Sequence, residues 1–174
     1  TDPSRPLLRK LMVEAPGTYH HSIMVANLAE AAAEAIGADA LLTRVAAYYH
    51  DVGKLSDPLM FKENQINVPN PHDRLTPKES ALIIRKHVPD GVKMAIQSGL
   101  PQSVVDIISQ HHGDSTVSYF YYMAKQQGEV EEKDFHYQGK KPQTKEAGIL
   151  MMADITEAAI RAKRAASDPD LRQQ

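Results

Sequence analysis

No cysteine occurs among the 174 residues, so disulfides and thiolate-held zinc or iron–sulfur centres are excluded. Any metal must therefore be bound by nitrogen and oxygen. Charge of either sign is also scarce in net terms: −2 at neutral pH, with a pI near 6.4, leaves no basic footprint for a long nucleic acid. A small anionic ligand stays open, because a bound cation supplies its own local charge. No apolar run approaches the roughly 20 residues that a bilayer-spanning helix needs, and no signal peptide is visible. Alternating strand patterns and internal repeats are absent as well. What remains is ordinary globular composition, 42% hydrophobic and 24% charged, on a chain sized for one domain. The chain opens on Thr1 rather than methionine and is expected to be part of a longer protein in a cytoplasmic setting.

Glycine and proline divide the sequence into helices. The first is expected from about Tyr19 to Ile36, closed by Gly37, and the second from Ala40 to His50, stopped near Gly53. Leu55 to Leu75 contains Pro58, Pro69 and Pro71 and reads as a long irregular loop, of the kind that is often functional. Thr76-Pro77-Lys78-Glu79 is a helix start with a capping box, and that helix is expected to reach His87. Shorter helices are expected from Gly91 to Gln97, from Gln102 to His112 and from about Thr116 to Gln127, and a long one from Thr144 to about Ala166. The reading is thus all-α and single-domain over 1–174, with a core of about 11–166, a mobile polar loop at 128–143 and a frayed tail at 167–174.

Several helical faces carry metal-competent side chains. His21, Val25, Leu28, Ala32 and Ile36 fall on one stripe, and Leu42, Val45, Ala46 and Tyr49 lead to His50. Ser80, Ile83 and Ile84 lead to His87, while Ile107 and Ile108 each stand four residues before His111 and His112. On the last helix Ala147, Leu150, Met151, Asp154, Ala158 and Arg161 share a face. One histidine on such a stripe is ordinarily a hydrogen-bonded core residue. Five histidines and two aspartates facing inward would be costly to bury unless something satisfied them, and a bound cation does so. Imidazole with carboxylate suits iron, manganese or zinc. His50-Asp51 is the sharper signal, because the carboxylate has a second oxygen to offer a second ion, and His111-His112 offers two adjacent imidazoles. Two cations sharing an aspartate suit in-line attack on phosphorus. Val52-Gly53-Lys54 follows, giving a turn and a lysine within reach of a phosphate.

His50-Asp51-Val52-Gly53-Lys54, with His21 upstream and Asp154 downstream, resembles the HD-domain phosphohydrolases. The ordered set His21, His50-Asp51, His87, His111-His112 and Asp154 resembles their two-metal subset. Ala15-Pro16-Gly17-Thr18-Tyr19-His20-His21-Ser22, Phe61-Lys62-Glu63-Asn64-Gln65, Asn70-Pro71-His72-Asp73 and His111-His112-Gly113 resemble the PgpH-type HD domains, membrane-anchored cyclic-di-AMP phosphodiesterases. The resemblance covers roughly Leu11 to Lys163. HD-GYP enzymes, which cut cyclic-di-GMP, carry Gly-Tyr-Pro after the paired histidines; here Gly113-Asp114-Ser115-Thr116 stands instead.

The resemblance implies an HD-superfamily helical bundle with the metal centre in its core. It implies one divalent ion, iron or manganese, on His21, His50, Asp51 and Asp154, and a second on His87, His111 and His112 with Asp51 bridging. It places the chain as the cytoplasmic part of a bacterial inner-membrane protein, tethered to a transmembrane region and not itself inserted. The expected reaction is hydrolysis of cyclic-di-AMP to linear pApA by a metal-bridging hydroxide, with Asp51 and Lys54 as catalytic residues. Lys54, Ser115, Thr116 and Tyr119 are the expected substrate contacts, the two hydroxyls donating to phosphate from the start of their helix. Glu63, Asn64 and Gln65 are expected to order the long loop. His72 reads as a turn or supporting residue and His136 as solvated. The rival readings are a nucleotidase or nucleoside-triphosphate hydrolase, against which the extra histidines count, and a binding-only nucleotide sensor.

Overall fold

Proline lacks a backbone donor, but the first turn of a helix needs none, and its fixed φ already suits the helix. Three helices use it in this way: α1 (Pro6–Glu14), α2 (Pro16–Ala35) and α4 (Pro77–Gln97). The computed structural model describes residues 6–167. Between these helices lies α3 (Ala40–Tyr49), capped by the Asp39 side chain, which accepts from Leu42 N. Gly37, at φ +66°, makes the reversal from α2 that only glycine adopts without strain. After α4 come α5 (Gln102–Gln110), α6 (Ser118–Gln127) and α7 (Lys145–Ser167). The described residues contain no strand, only one isolated antiparallel bridge between Thr116 and His136. Nor do they include a helix long and apolar enough to cross a membrane.

Four elements depart from the sequence reading. α1 lies before the expected first helix and buries Leu8 and Leu11 against the rest. The expected break between His87 and Gly91 does not occur, for α4 runs through Pro89. An interior proline costs about 3 kcal/mol, and the continuous buried row Ala81, His87, Val88, Gly91 and Ala95 offsets it by tertiary packing. The irregular stretch after His50 is a chain of short 3-10 turns, Val52–Ser56, Pro58–Met60, Lys62–Asn64 and Pro71–Arg74. The segment 128–143, read as a mobile loop, contains a 3-10 turn at Glu132–Phe135 and buries Phe135 and Tyr137. Of the tail expected to fray, Ser167 ends α7 and 168–174 lie outside the described residues.

The buried face of α2 also differs from the stripe read from its sequence. His21 and Val25 are buried, but the face continues through Ala29 and Ala33, leaving Leu28 40% and Ile36 55% exposed. The reason lies in α3, which meets α2 with Ala46 and Ala47, so small side chains on both helices permit close approach. Leucine at that seam would hold the helices apart. Tight α2–α3 packing brings His21 beside His50, with ring centroids 5.5 Å apart.

Candidate metal centre

Each candidate ligand sits at the inner end or inner face of a helix. His50 and His111 are the residues that close α3 and α5, where the last carbonyls of a helix lack intrahelical donors. Their rings use this: His50 Nδ1 donates to Ala47 O at 2.7 Å and His111 Nδ1 to Ile108 O at 2.6 Å. His87, on α4, does the same to Ile84 O at 2.6 Å. In the neutral form of each ring, an Nδ1 that donates leaves Nε2 as the lone pair facing the centre.

Around Asp51 these side chains form two groups. His87 Nε2 and His111 Nε2 lie 3.3 and 3.5 Å from Asp51 Oδ1. His50 Nε2 and His21 Nε2 lie 3.4 and 3.7 Å from the other oxygen, Oδ2. Asp154 Oδ1, from α7, completes that side at 2.7 Å from His21 Nε2 and 3.6 Å from His50 Nε2. One quartet is therefore His21, His50, Asp51 and Asp154, and the other Asp51, His87, His111 and His112, with the ligand atoms of each within 4.8 Å of one another. Asp51 belongs to both, one oxygen on each side.

The donor set fits a cation. His50 Nε2 and Asp51 Oδ1 are fully buried and have no hydrogen-bond partner. An orphaned buried nitrogen and carboxylate oxygen are expensive unless satisfied, and a divalent ion coordinated by both would satisfy them. Each quartet offers only imidazole nitrogen and carboxylate oxygen, the chemistry of a manganese, iron or zinc site.

Lys54 Nζ lies 2.7 Å from Asp51 Oδ2 and 2.6 Å from Glu63 Oε1, with its side chain 12% exposed. Burial would push its pKa down, but the two carboxylates outweigh this and hold it above the ordinary lysine value. Asp51 is likewise opposed by burial, yet Lys54 and His50 keep its carboxyl well below the usual range. For His50 the same contest, burial against the charges of Asp51 and Asp154, ends with the imidazole raised to about 9. His111 and His112 are pushed the other way, chiefly by burial, His112 well below the usual histidine value.

The two quartets thus differ in how a cation must enter. Burial favours the neutral forms of His111 and His112, whereas Asp51 and Asp154 favour a proton on His50 that an incoming ion must displace. Without metal, protonated His50 contributes stability that is fully present below pH 6.5 and is lost as pH rises through about 9. Metal affinity should run oppositely, rising with pH toward 9. Calorimetric titration of the metal-free chain in buffers of different ionisation enthalpy should show net proton release at pH 7, fading above pH 9. Metal uptake with no proton release at pH 7 would contradict this assignment.

The remaining sequence-selected residues fall into three groups. His72 bridges the long turn region to α4, its ring nitrogens 2.9 Å from Ser80 Oγ and 2.8 Å from Met60 O. Asn64 is buried and accepts from Thr18 N at 3.0 Å, tying that region to α2, while Gln65 donates to Leu59 O at 2.8 Å. Ser115 and Thr116 precede α6 rather than opening it, because Val117 is the cap residue and makes no side-chain cap. Their hydroxyls are already engaged, Ser115 donating to His112 O at 2.7 Å and Thr116 to Glu132 Oε1 at 2.9 Å. Tyr119 is 70% exposed on α6. His20 is exposed, whereas His136, expected in solvent, is only partly exposed and takes part in the bridge to Thr116.

Three residues beside the centre were not selected by the sequence reading. Phe61 packs edge-on to His87 at 5.6 Å. Tyr137 stacks flat on His112, centroids 4.4 Å apart and planes 13° from parallel. Glu157 receives His21 Nδ1. Of these, Phe61 opens the Phe61–Gln65 motif, and Glu157 left a signal of its own, three residues beyond Asp154 on the same helical face.

Comparison with known proteins gives concordant findings. The family model described as HD domain matches residues 18–159. The chain is 54% identical over 162 residues to the cyclic-di-AMP phosphodiesterase PgpH of Bacillus subtilis, covering 92% of this chain and 23% of that protein. It is 52% identical over 161 residues to the PgpH phosphodiesterase of Listeria monocytogenes, covering 92% of this chain and 22% of the relative. The chain therefore spans less than a quarter of the length of these curated relatives. The crystal structure of the L. monocytogenes PgpH HD domain in complex with cyclic-di-AMP matches with TM-score 0.89 and 51% identity, covering 92% of this chain and 76% of that one.

Proposed function

The chain belongs to the HD domain family, and from that premise we propose that it is a metal-dependent phosphodiesterase that opens cyclic-di-AMP to linear pApA. The observation that carries the proposal is the pair of quartets meeting at Asp51, with His50 Nε2 and Asp51 Oδ1 buried and unpartnered. The family binds divalent metals. In this reading His21, His50, Asp51 and Asp154 hold one ion, and Asp51, His87, His111 and His112 the other, with iron or manganese as the metals. The substrate is supported by the relatives, two curated as cyclic-di-AMP phosphodiesterases and one crystallised with that dinucleotide.

When bound, such ions lower the pKa of water and offset charge developing on phosphoryl oxygens. The chain's own residues do the positioning. Lys54, itself paired with Glu63, holds Oδ2 of Asp51, while Oδ1 is turned toward His87 and His111. The Lys54 ammonium, held protonated by the two carboxylates, keeps a positive charge at the edge of the centre. Histidine Nδ1 bonds to the helix carbonyls hold the rings before substrate arrives, so little reorganisation accompanies reaction. Ser115, Thr116 and Tyr119 stay in the reading as substrate contacts; the exposed Tyr119 ring is available to stack on a base. The reading also makes the chain the cytoplasmic part of a membrane-tethered protein, supported by the greater length of the matched relatives.

The test is hydrolysis of cyclic-di-AMP beside cyclic-di-GMP and AMP, with manganese present and products separated by chromatography. The expected result is pApA from cyclic-di-AMP in clear preference to turnover of the other two. Binding without turnover under both manganese and ferrous iron would replace the enzyme with a sensor. Preferred turnover of AMP would replace it with a nucleotidase.

A further inference from the structure

The candidate ligand histidines are not held alike. His50, His87 and His111 direct Nδ1 to a main-chain carbonyl three residues back, a neutral acceptor. His21 directs Nδ1 instead to the Glu157 carboxylate, one turn beyond Asp154 on α7. Glu157 is itself fixed, its side chain only 12% exposed and the same oxygen, Oε2, 3.6 Å from Arg161 Nε. Arg161 is more exposed, so it steers this carboxylate from the solvent side while His21 meets it from within.

The consequence is an asymmetry of charge between the two quartets. His21, His50, Asp51 and Asp154 present two carboxylates, and Glu157 adds a third immediately behind His21. Asp51, His87, His111 and His112 present the shared carboxylate alone among three imidazoles. Behind His112 lies the face of Tyr137. A carboxylate accepting from the far nitrogen of a ligand imidazole fixes the ring's tautomer and orientation and makes the other nitrogen a stronger donor. Negative charge close to a divalent ion also strengthens its binding directly.

We propose that Glu157 is a positioning residue for His21, and that through it the His21–His50–Asp51–Asp154 position binds its cation more tightly than the His87–His111–His112 position. The proposal rests on the two-cation reading of the site. It also divides the selectivity: the carboxylate-rich position favours a hard ion such as manganese, and the imidazole-rich position tolerates softer ones.

The test is calorimetric titration of the metal-free 174-residue chain with Mn²⁺, with free Mn²⁺ followed in parallel by electron paramagnetic resonance. Glu157→Gln keeps an oxygen acceptor for His21 Nδ1 and removes the charge; Glu157→Ala removes both. The wild-type chain should bind two ions in two resolved steps. Glu157→Gln should weaken the tighter step by about tenfold to a hundredfold and leave the weaker step unchanged, and Glu157→Ala should weaken the tighter step at least as much. The metal-free melting temperature of Glu157→Gln should match that of the wild-type chain. Neither step moving, both weakening together, or only the weaker one moving would overturn the proposal. So would a melting temperature that falls in both variants with affinities intact, which would make Glu157 a structural residue. Fewer than two ions on the wild-type chain would overturn the two-cation reading itself and the proposal with it.

Discussion

Asp51→Asn is expected to lower cyclic-di-AMP hydrolysis by about a thousandfold or more, since the several kcal/mol that metal ions contribute to a phosphoryl transition state convert at about 1.36 kcal/mol per factor of ten. The substitution is isosteric, so its effect comes from charge and donor chemistry. Asp51 faces His21 and His50 with one oxygen and His87 and His111 with the other. An asparagine amide has one oxygen, so whichever quartet it serves, the other meets an NH2 group that repels a cation. Both affinities should fall, because the shared negative charge is lost to both. Turnover should not be rescued by raising manganese, and metal content after desalting should drop. Wild-type turnover in Asp51→Asn would remove the residue from the chemistry and with it the proposed arrangement.

Gly53→Ala is expected to be strongly destabilising. A Cβ built at Gly53 would stand 1.7 Å from His87 O and 2.5 Å from Gly91 N, both backbone atoms of α4. No side-chain rotation relieves such a contact, so the 3-10 turn Val52–Ser56 and α4 must separate. Overpacking of this kind costs about 3 kcal/mol, which for a chain of this size corresponds to a melting temperature lower by roughly 6–12 °C. The turn carries Lys54 and α4 carries His87, so the shift also misplaces the centre, and a displacement of about 1 Å costs on the order of a hundredfold in rate. Gly148→Ala is the control: it lies inside α7 with nothing within 4 Å of a built Cβ, and alanine is the better helix former. Gly148→Ala should melt at or above the wild-type temperature. Equal melting of Gly53→Ala and wild type would mean that the close approach of turn and helix is not required.

The seven residues now grouped at Asp51 were readable because helical periodicity tells which face a side chain occupies, and His50-Asp51 and His111-His112 are adjacent pairs at helix ends. Periodicity gives the face only to within a residue or so. On α2 it ran through Leu28 and Ile36, while the packed face follows Ala29 and Ala33, because the neighbouring helix decides which row of small residues it can approach. The helix from Thr76 was expected to end at His87; burial along the whole of α4 carries it through Pro89 to Gln97, a term no local rule contains. Tyr137 was beyond reach for a related reason. It lies in a polar stretch without period, and its place on His112 depends on a long-range hydrogen bond from its own N to Ser115 O at 2.8 Å. The hydroxyls of Ser115 and Thr116 were read as donors for a phosphate; in this structure Ser115 donates to His112 O and Thr116 to the distant Glu132 carboxylate. Which partner a hydroxyl takes is settled by distances of a few ångströms that sequence does not carry.

The central claim is that two cations sit on either side of one aspartate. Anomalous diffraction from crystals of the manganese-loaded chain tests it most directly. The account predicts two peaks, one enclosed by His21, His50, Asp51 and Asp154 and the other by Asp51, His87, His111 and His112, each with one Asp51 oxygen in its coordination shell. A single peak, or two peaks with Asp51 bound to neither or to only one, would contradict it.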